Sequence, residues 1–373
     1  MNLNLFSETP VDGEVIFPTA YSEILERIHN IHPVQYAKTR NFINGAVTYL
    51  SPYISRGVVS VKQLMDSVLQ KGYKPYQVQK FLQELAWREY FQRVHQYVGD
   101  KIWKDIKQPQ PDVLHYQMIE AVQNATTGIR AIDEQILNLY KSGYMHNHVR
   151  MYTASLVCNM AKAHWLQPSQ WMYYHLLDGD VASNNCSWQW VAGAFASKKY
   201  YFNQENVDKY TFSKQPGSFI DKEYNALISM DIPLTLQSTE NLALKTTLPV
   251  TPKPLIDNSK PTLIYNSYNL DPLWREDENV NRILLLEPSH FKNHPIGESV
   301  IEFVIGLSKN INHIQIFTGE IDELNIDNMI SKEHPLFNHY PGVKDNRDWM
   351  FPTVQGYYSS FFSYWKKCEK YLK

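Results

Sequence analysis

Residues 175–193 read HLLDGDVASNNCSWQWVAG. This short run gathers two carboxylates (Asp178, Asp180), two amides (Asn184, Asn185) and two indoles (Trp188, Trp190). Gly179 interrupts helical regularity between the carboxylates, and the run from Val181 to Val191 can be helical. Asx and Gly ahead of such a run favour a turn and a helix start, because the side chain or bare backbone satisfies free N–H groups. The expected picture is a polar turn feeding a helix that carries amides and indoles inward. A buried polar group without a partner costs about 1–3 kcal/mol. A polar, heteroatom-rich ligand would supply the partners; a loop over a plain aromatic core is the alternative from composition alone.

The 373 residues exceed one typical core and predict two domains. Composition is ordinary for a globular chain, at 43% hydrophobic and 20% charged, but aromatics reach 13%. Net charge is −2, with a basic excess in residues 1–214 and an acidic excess in 215–373. A nucleic-acid partner would therefore need a local basic face on the first domain. Cys158, Cys186 and Cys368 are too widely spaced for a zinc or iron–sulfur signature, so no metal is expected. Reduced cysteines in the cytoplasm are the simplest reading. The start, MNLNLFSETPVDGE, has no basic region followed by an apolar run, so it does not read as a secretory signal. No apolar run approaches the roughly 18–20 residues a membrane span needs. A soluble monomer is expected.

In chain order, 1–18 reads as irregular. Ile24, Leu25 and Ile28 predict a helix over 21–29. Asn44-Gly45 marks a turn, Ser51-Pro52 a first helical turn, and Ser60 caps a helix over 61–70. The strongest helix spans 77–99, with Glu84 and Arg88 at a pairing distance of i,i+4. Further helices are expected over 116–123, 129–141, 144–164 and 170–177. In the helix over 144–164, Arg150 amid Met151, Ala154 and Leu156 needs an anion or acceptors. Nothing before residue 200 alternates like a sheet. Lysines and tyrosines over 198–210 form a weak nucleic-acid signal, with a surface segment the plainer reading. Residues 215–261 carry Pro216, Pro233, Pro249, Pro252, Pro254 and Pro261 and read as a linker. Strand-like runs at 262–265, 282–286 and 313–317, with helices at 298–308 and 357–371, predict a small α/β domain with a parallel sheet over 262–373. It has no GxGxxG or GxxxxGK[ST], so no nucleotide site is assigned to it. The fold expected is mainly α, over 1–214, followed by this α/β domain.

Four blocks make the helical part recognisable: LSPYISRGVVS (50–60), FLQELAWREYF (81–91), TGIRAIDEQILNLYKSGYMHNHVRMYTAS (127–155) and DGDVASNNCSWQWVAG (178–193). In this order they resemble the FAD-binding helical domain of the DNA photolyase/cryptochrome family. The resemblance implies FAD held in a U-shape. Tyr36, Val47, Thr48, Leu50 and Ser51 would line its phosphate end, where a helix start suits an anion. Phe81, Glu84, Arg88, Asn147 and Arg150 would flank flavin and adenine, and Asp178, Asp180 and Asn184 would complete the pocket. The resemblance sets Asn184 opposite flavin N5, where an amide favours a neutral radical. Arg150 would stabilise negative charge on the reduced ring. In repair members the lesion lies over the flavin; Glu84, Trp87, Asn147, Met151 and Trp190 match that side. Trp87 and Trp190 would offer flat faces to a flipped-out dimer, and Arg40 matches a basic residue near the lesion phosphate.

The chain also departs from the family. About thirty residues lead into the helical part here, so the family's usual N-terminal α/β antenna domain is not expected, and any antenna pigment is left unassigned. Trp188 and Trp165 match the first two of three tryptophans that photoreduce the flavin, while the third position falls at Val122. Photoreduction is then crippled or rerouted through a tyrosine. Arg150 is expected to pair with an Asp ten residues on its helix, where this chain has Met160. Tyr49 and His148 replace basic residues, and Cys186-Ser187 replaces Gly-Gly, adding side chains near the flavin-facing backbone. The resemblance implies light-driven repair of pyrimidine dimers in DNA by electron transfer from reduced FAD. A cryptochrome-like flavin photoreceptor without repair, and a relative that has lost its flavin, are the alternatives.

Overall fold

The computed structural model describes residues 15–372. Most of the irregular start expected over 1–18 lies outside them. The helical part opens with α1 (Tyr21–His29), α2 (Pro33–Thr39), α3 (Ser51–Ser55) and α4 (Val61–Gln70). Ser60 and Gln63 close a capping box at α4, satisfying two otherwise free N–H groups reciprocally. The central helix is α5 (Gln79–Val98), which buries Phe81, Leu82, Leu85, Ala86 and Tyr90.

The expected helix over 116–123 is shorter. A strand, β1 (Met118–Ile119), precedes α6 (Glu120–Gln123) and pairs antiparallel with β2 (Thr239–Glu240). The helical part is thus not wholly helical. Then come α7 (Arg130–Ser142), stopped by left-handed Gly143, and α8 (Asn147–Ser155). The single helix expected over 144–164 does not form: α8 passes into a π turn over Leu156–Met160 and ends there. α9 (Leu166–His175), α10 (Val181–Ala192), α11 (Gln204–Thr211) and α12 (Tyr224–Ile228) follow. Ile220, Leu227 and Leu236 are buried in the same core as α7, α8 and α9. The Pro-rich stretch therefore lies along the helical part as far as Leu236, and further on Thr251 and Leu255 bond to Thr318 and Gln315 of the second part.

The second part is a five-stranded parallel sheet: β3 (Thr262–Tyr265), β4 (Asn281–Leu286), β5 (Ile314–Thr318), β6 (Met329–Lys332) and β7 (Val343–Asp345). Its order is β5-β4-β3-β6-β7. β3 and β4 are near-continuous apolar runs, as strands covered on both faces must be. α13 (Pro288–Asn293), α14 (Glu298–Ser308) and α15 (Phe361–Cys368) complete it. The order reverses at β3, so a crevice opens beyond the carboxyl ends of β3 and β6. Sequence patterns missed β6 and β7. Met-Ile-Ser-Lys and Val-Lys-Asp are too short and too polar to stand out, and β7 is an edge strand.

One continuous core joins the two parts. Leu50, Tyr53, Leu85 and Tyr90 share it with Leu263, Leu284 and Val304. Glu89 of α5 is buried and accepts from the Met350 and Phe351 N–H groups and from the Tyr364 hydroxyl. Arg56 is fully buried and donates to the Leu177 and Ser267 carbonyls, one from each part. Gly57 has φ +64°, and a Cβ there would lie 2.3 Å from the Tyr268 carbonyl oxygen. Only glycine allows that approach.

Candidate flavin site

Asp180 caps α10: its Oδ1 accepts from the Ser183 N–H at 2.7 Å. Its Oδ2 accepts from Gln92 Nε2 at 2.6 Å and lies 3.9 Å from Arg88. Burial alone would push this carboxyl up. Arg88 and the Ser183 hydrogen bonds outweigh it and hold the carboxyl below the usual carboxylate range. Glu84 and Arg88 do not pair with each other as expected. Arg88 turns to Ser55 Oγ at 2.6 Å and to Asp180, while Glu84 takes Lys80 at 2.8 Å and Arg40 at 3.3 Å. The buried carboxylate draws Arg88 because a charge pair is stronger away from water.

Two residues earlier, Asp178 Oδ2 accepts from Arg150 Nη2 at 3.0 Å. Arg150 Nε donates to the Met145 carbonyl at 2.8 Å. The partner of Arg150 is therefore Asp178, and Met160 is simply core. Asp178 Oδ1 is buried with no hydrogen-bond partner. Around this pair lie Tyr144, whose hydroxyl is pushed up by burial, and, within its electrostatic reach, Tyr49 and Tyr36. Tyr36 meets Phe81 edge-on at 5.2 Å. Tyr49 adopts φ 52°, a strained value for a bulky residue, between half-buried Thr48 and fully buried Leu50. Val47 is half-buried. Ser51 begins a helix of only five residues, so it offers free N–H groups but little macrodipole.

Asn147 starts α8 and is exposed. Asn184 is half-buried and donates to the Ser169 carbonyl at 2.9 Å. Cys186 enters the core and Ser187 faces solvent, so neither side chain crowds the polar turn as expected. His148 contacts the Asn41 carbonyl at 3.0 Å and packs on Tyr152 and Tyr210. Gln92 and Ser55 belong to the site but escaped sequence reasoning. Gln92 does carry a signal: it continues the 81, 84, 88 face of α5 by one more turn. A crevice between the two parts is lined by Arg88, Gln92 and Asp180 on one side and Tyr268 and Lys332 on the other.

The matched segments decide what this arrangement belongs to. Residues 81–238 match the family described as FAD binding domain of DNA photolyase. That segment, under half of the chain, is similar to the FAD-binding domain of DNA photolyases. Its cofactor is FAD, and the residues fit one: Asp178 keeps a buried oxygen without a partner, and Arg88 and Arg150 are each held by a carboxylate. The chain is 31% identical over 172 residues to a deoxyribodipyrimidine photo-lyase of Alkalihalophilus pseudofirmus, covering 45% of this chain and 36% of that one. It is 33% identical over 150 residues to one of Streptomyces griseus, covering 40% and 32%. It thus spans about a third of the length of these relatives. Among solved structures it is similar to a Synechocystis cryptochrome (TM-score 0.46, 24% identity, 56% and 48% covered). It is also similar to a class III photolyase of Agrobacterium tumefaciens (TM-score 0.43, 23% identity, 51% and 41% covered).

The residues matched to the lesion side are divided. Trp190 is 38% exposed and lies 6.0 Å from Tyr200. Met151 is half-buried. Glu84 and Arg40 are paired with each other. Trp87 is half-buried, with one face stacked on Phe361 at 3.9 Å and 11°. Among the described residues no ring contact joins Trp87 to Trp190. Trp188 and Trp165 are buried, and so is Val122 on α6.

Burial also holds His95 and His146 down at about 4. Unfolded, each titrates near 6.5. Below that pH the unfolded chain takes up protons that the folded chain refuses, so stability is full above about pH 6.5 and falls towards pH 4. Each histidine is expected to cost on the order of 1–3 kcal/mol across that window. Urea midpoints at pH 7 and pH 5 check this, and an unchanged midpoint in His146→Gln relative to wild type at both pH values would count against it.

Proposed function

We propose that the protein is a light-driven flavoenzyme that repairs pyrimidine dimers in DNA. The observation that carries this reading is the run Arg88–Ser55–Asp178–Arg150, drawn from four separate segments onto one polar turn with a carboxylate oxygen left over. FAD supplies the light-absorbing and electron-donating chemistry when bound. Arg150, fixed by Asp178 and the Met145 carbonyl, would set a positive charge against the ring. Tyr36 and the N–H groups near Ser51 would hold the phosphate end, and Phe81 and Arg88 would flank the flavin and adenine. Asn147 and Asn184 would bond its polar edges. Glu84 and Met151 would meet the base, Trp190 and Trp87 would stack on it, and Arg40 would contact the strand. DNA containing such dimers is the proposed partner.

A dimer-containing oligonucleotide incubated with dithionite-reduced protein tests the reading. Light-dependent restoration of the pyrimidines is expected, and none in the dark. No restoration from protein that carries a full flavin band would sink it. The second reading is a photoreceptor without repair, and one observation favours it: Phe361 occupies a face of Trp87 that stacking on a base would use.

A further inference from the structure

Val122, where a surface tryptophan was expected, is buried on α6 and carries no exit for an electron path. A different side of Trp165 leads outward. Trp165 is fully buried, and its indole Nε1 donates to Asp105 Oδ1 at 2.7 Å. The same oxygen lies 3.4 Å from His164 Nε2. His164 Nδ1 accepts from the Leu166 N–H, which assigns the ring proton to Nε2, facing Asp105. The imidazole lies 5.6 Å from the Trp165 ring on one side. On the other it stacks on Tyr116 at 5.0 Å and 29°. Tyr116 is 66% exposed. The His115–Ala163 bridge, with the His164 N–H donating to the His115 carbonyl at 2.8 Å, fixes this stack. Three rings therefore run in line from a buried indole to water. Burial would raise the Asp105 carboxyl, but bonds from His164, Trp165 and the Gln110 N–H hold it below the usual range. An anion thus sits on the Trp165 N–H, where it stabilises positive charge on that indole.

We propose that Tyr116 is the surface end of the electron path, reached from Trp165 across His164. The inference rests on the flavin reading above and on Trp188 drawing its electron from Trp165. Trp165, left as a radical cation, takes one electron from Tyr116. Tyr116 releases its phenolic proton to water and becomes a neutral phenoxyl radical. An external thiol restores it by giving one electron and one proton, and ends as a thiyl radical. Asp105 is a positioning residue that keeps Trp165 and His164 in place and favours the cationic indole.

The test is blue-light reduction of FAD-loaded protein with added thiol, followed by absorption and by electron paramagnetic resonance of freeze-trapped samples. Wild type is expected to give a tyrosyl signal. Tyr116→Phe should lose that signal and most of the thiol-dependent photoreduction, while dithionite-reduced Tyr116→Phe keeps whatever repair the wild type has. Tyr140→Phe, at a tyrosine bonded to Trp171, should behave as wild type. A tyrosyl signal that survives in Tyr116→Phe, or photoreduction that is unchanged, overturns the path alone. Protein that takes up no FAD overturns the flavin reading, and the path with it.

Discussion

Arg150→Met is expected to lose FAD and to lower stability by on the order of 3 kcal/mol. Asp178 is buried, one of its oxygens already has no partner, and Arg150 is the charge facing the other. Removing the guanidinium strands a carboxylate that burial has cut off from water. That loss exceeds the worth of the pair itself, because both ions were desolvated to make it. Arg150→Met with Asp178→Leu removes both charges. It should regain most of the stability and still bind no FAD, since an apolar pair cannot serve a polar cofactor edge. Arg150→Lys keeps the charge but gives up the planar fork that bonds the Met145 carbonyl and Asp178 together. It should bind FAD more weakly than wild type. Thermal melts and the flavin band of the purified variants check all three. Wild-type melting and a full flavin band in Arg150→Met would remove Arg150 from the site.

What could be read before the structure was local. Asp180 as the cap of α10, Ser60 as the cap of α4 and the apolar spacing of α14 all follow from neighbours within a turn or two. The four family blocks work the same way, because each is a short run. What could not be read was tertiary. β1 is two residues long and exists only because residues 239–240 come back to pair with it. The π turn after α8 shifts the hydrogen-bond register by one residue with no change in composition. Glu84 and Arg88 have ideal helical spacing, yet Arg88 prefers Asp180, a partner from another helix that no spacing rule reaches. Glu89 has no local signal of its role either. It is the buried acceptor for three donors from the α/β part. Asp105 had no signal, since its role depends on where Trp165 and His164 end up.

Phe361→Ala is expected to tighten binding of dimer-containing DNA by about tenfold, or ~1.4 kcal/mol. α15 presents Phe361, Tyr364, Trp365 and Cys368 to the core. It is tied to α5 by the Tyr364 hydroxyl on Glu89 and by the stack of Phe361 on Trp87. Truncating a buried Phe costs about 3–5 kcal/mol. A base stacked on an aromatic side chain gains only about 1–3 kcal/mol. A base therefore does not displace Phe361 from Trp87 by stacking alone, and in the wild type that face is closed. With Phe361 truncated the competitor is gone, and the same stacking energy goes into binding. The variant should melt lower yet bind better, opposite in sign to a change that merely loosens the fold. Phe361→Leu, closer in volume, should keep more stability and show a smaller gain. Phe362→Ala, at an exposed neighbour, should change neither. Iodide quenching reports whether Trp87 has become accessible, with Trp87→Phe as the reference for its share of the fluorescence. If quenching rises but affinity for the dimer does not, Trp87 is a core residue that happens to lie on the family position. The stacking role then falls to Trp190 alone, and the photoreceptor reading gains what the repair reading loses. If affinity rises, the α/β part acts as a cover over a working cavity, and repair in the intact chain requires α15 to withdraw first.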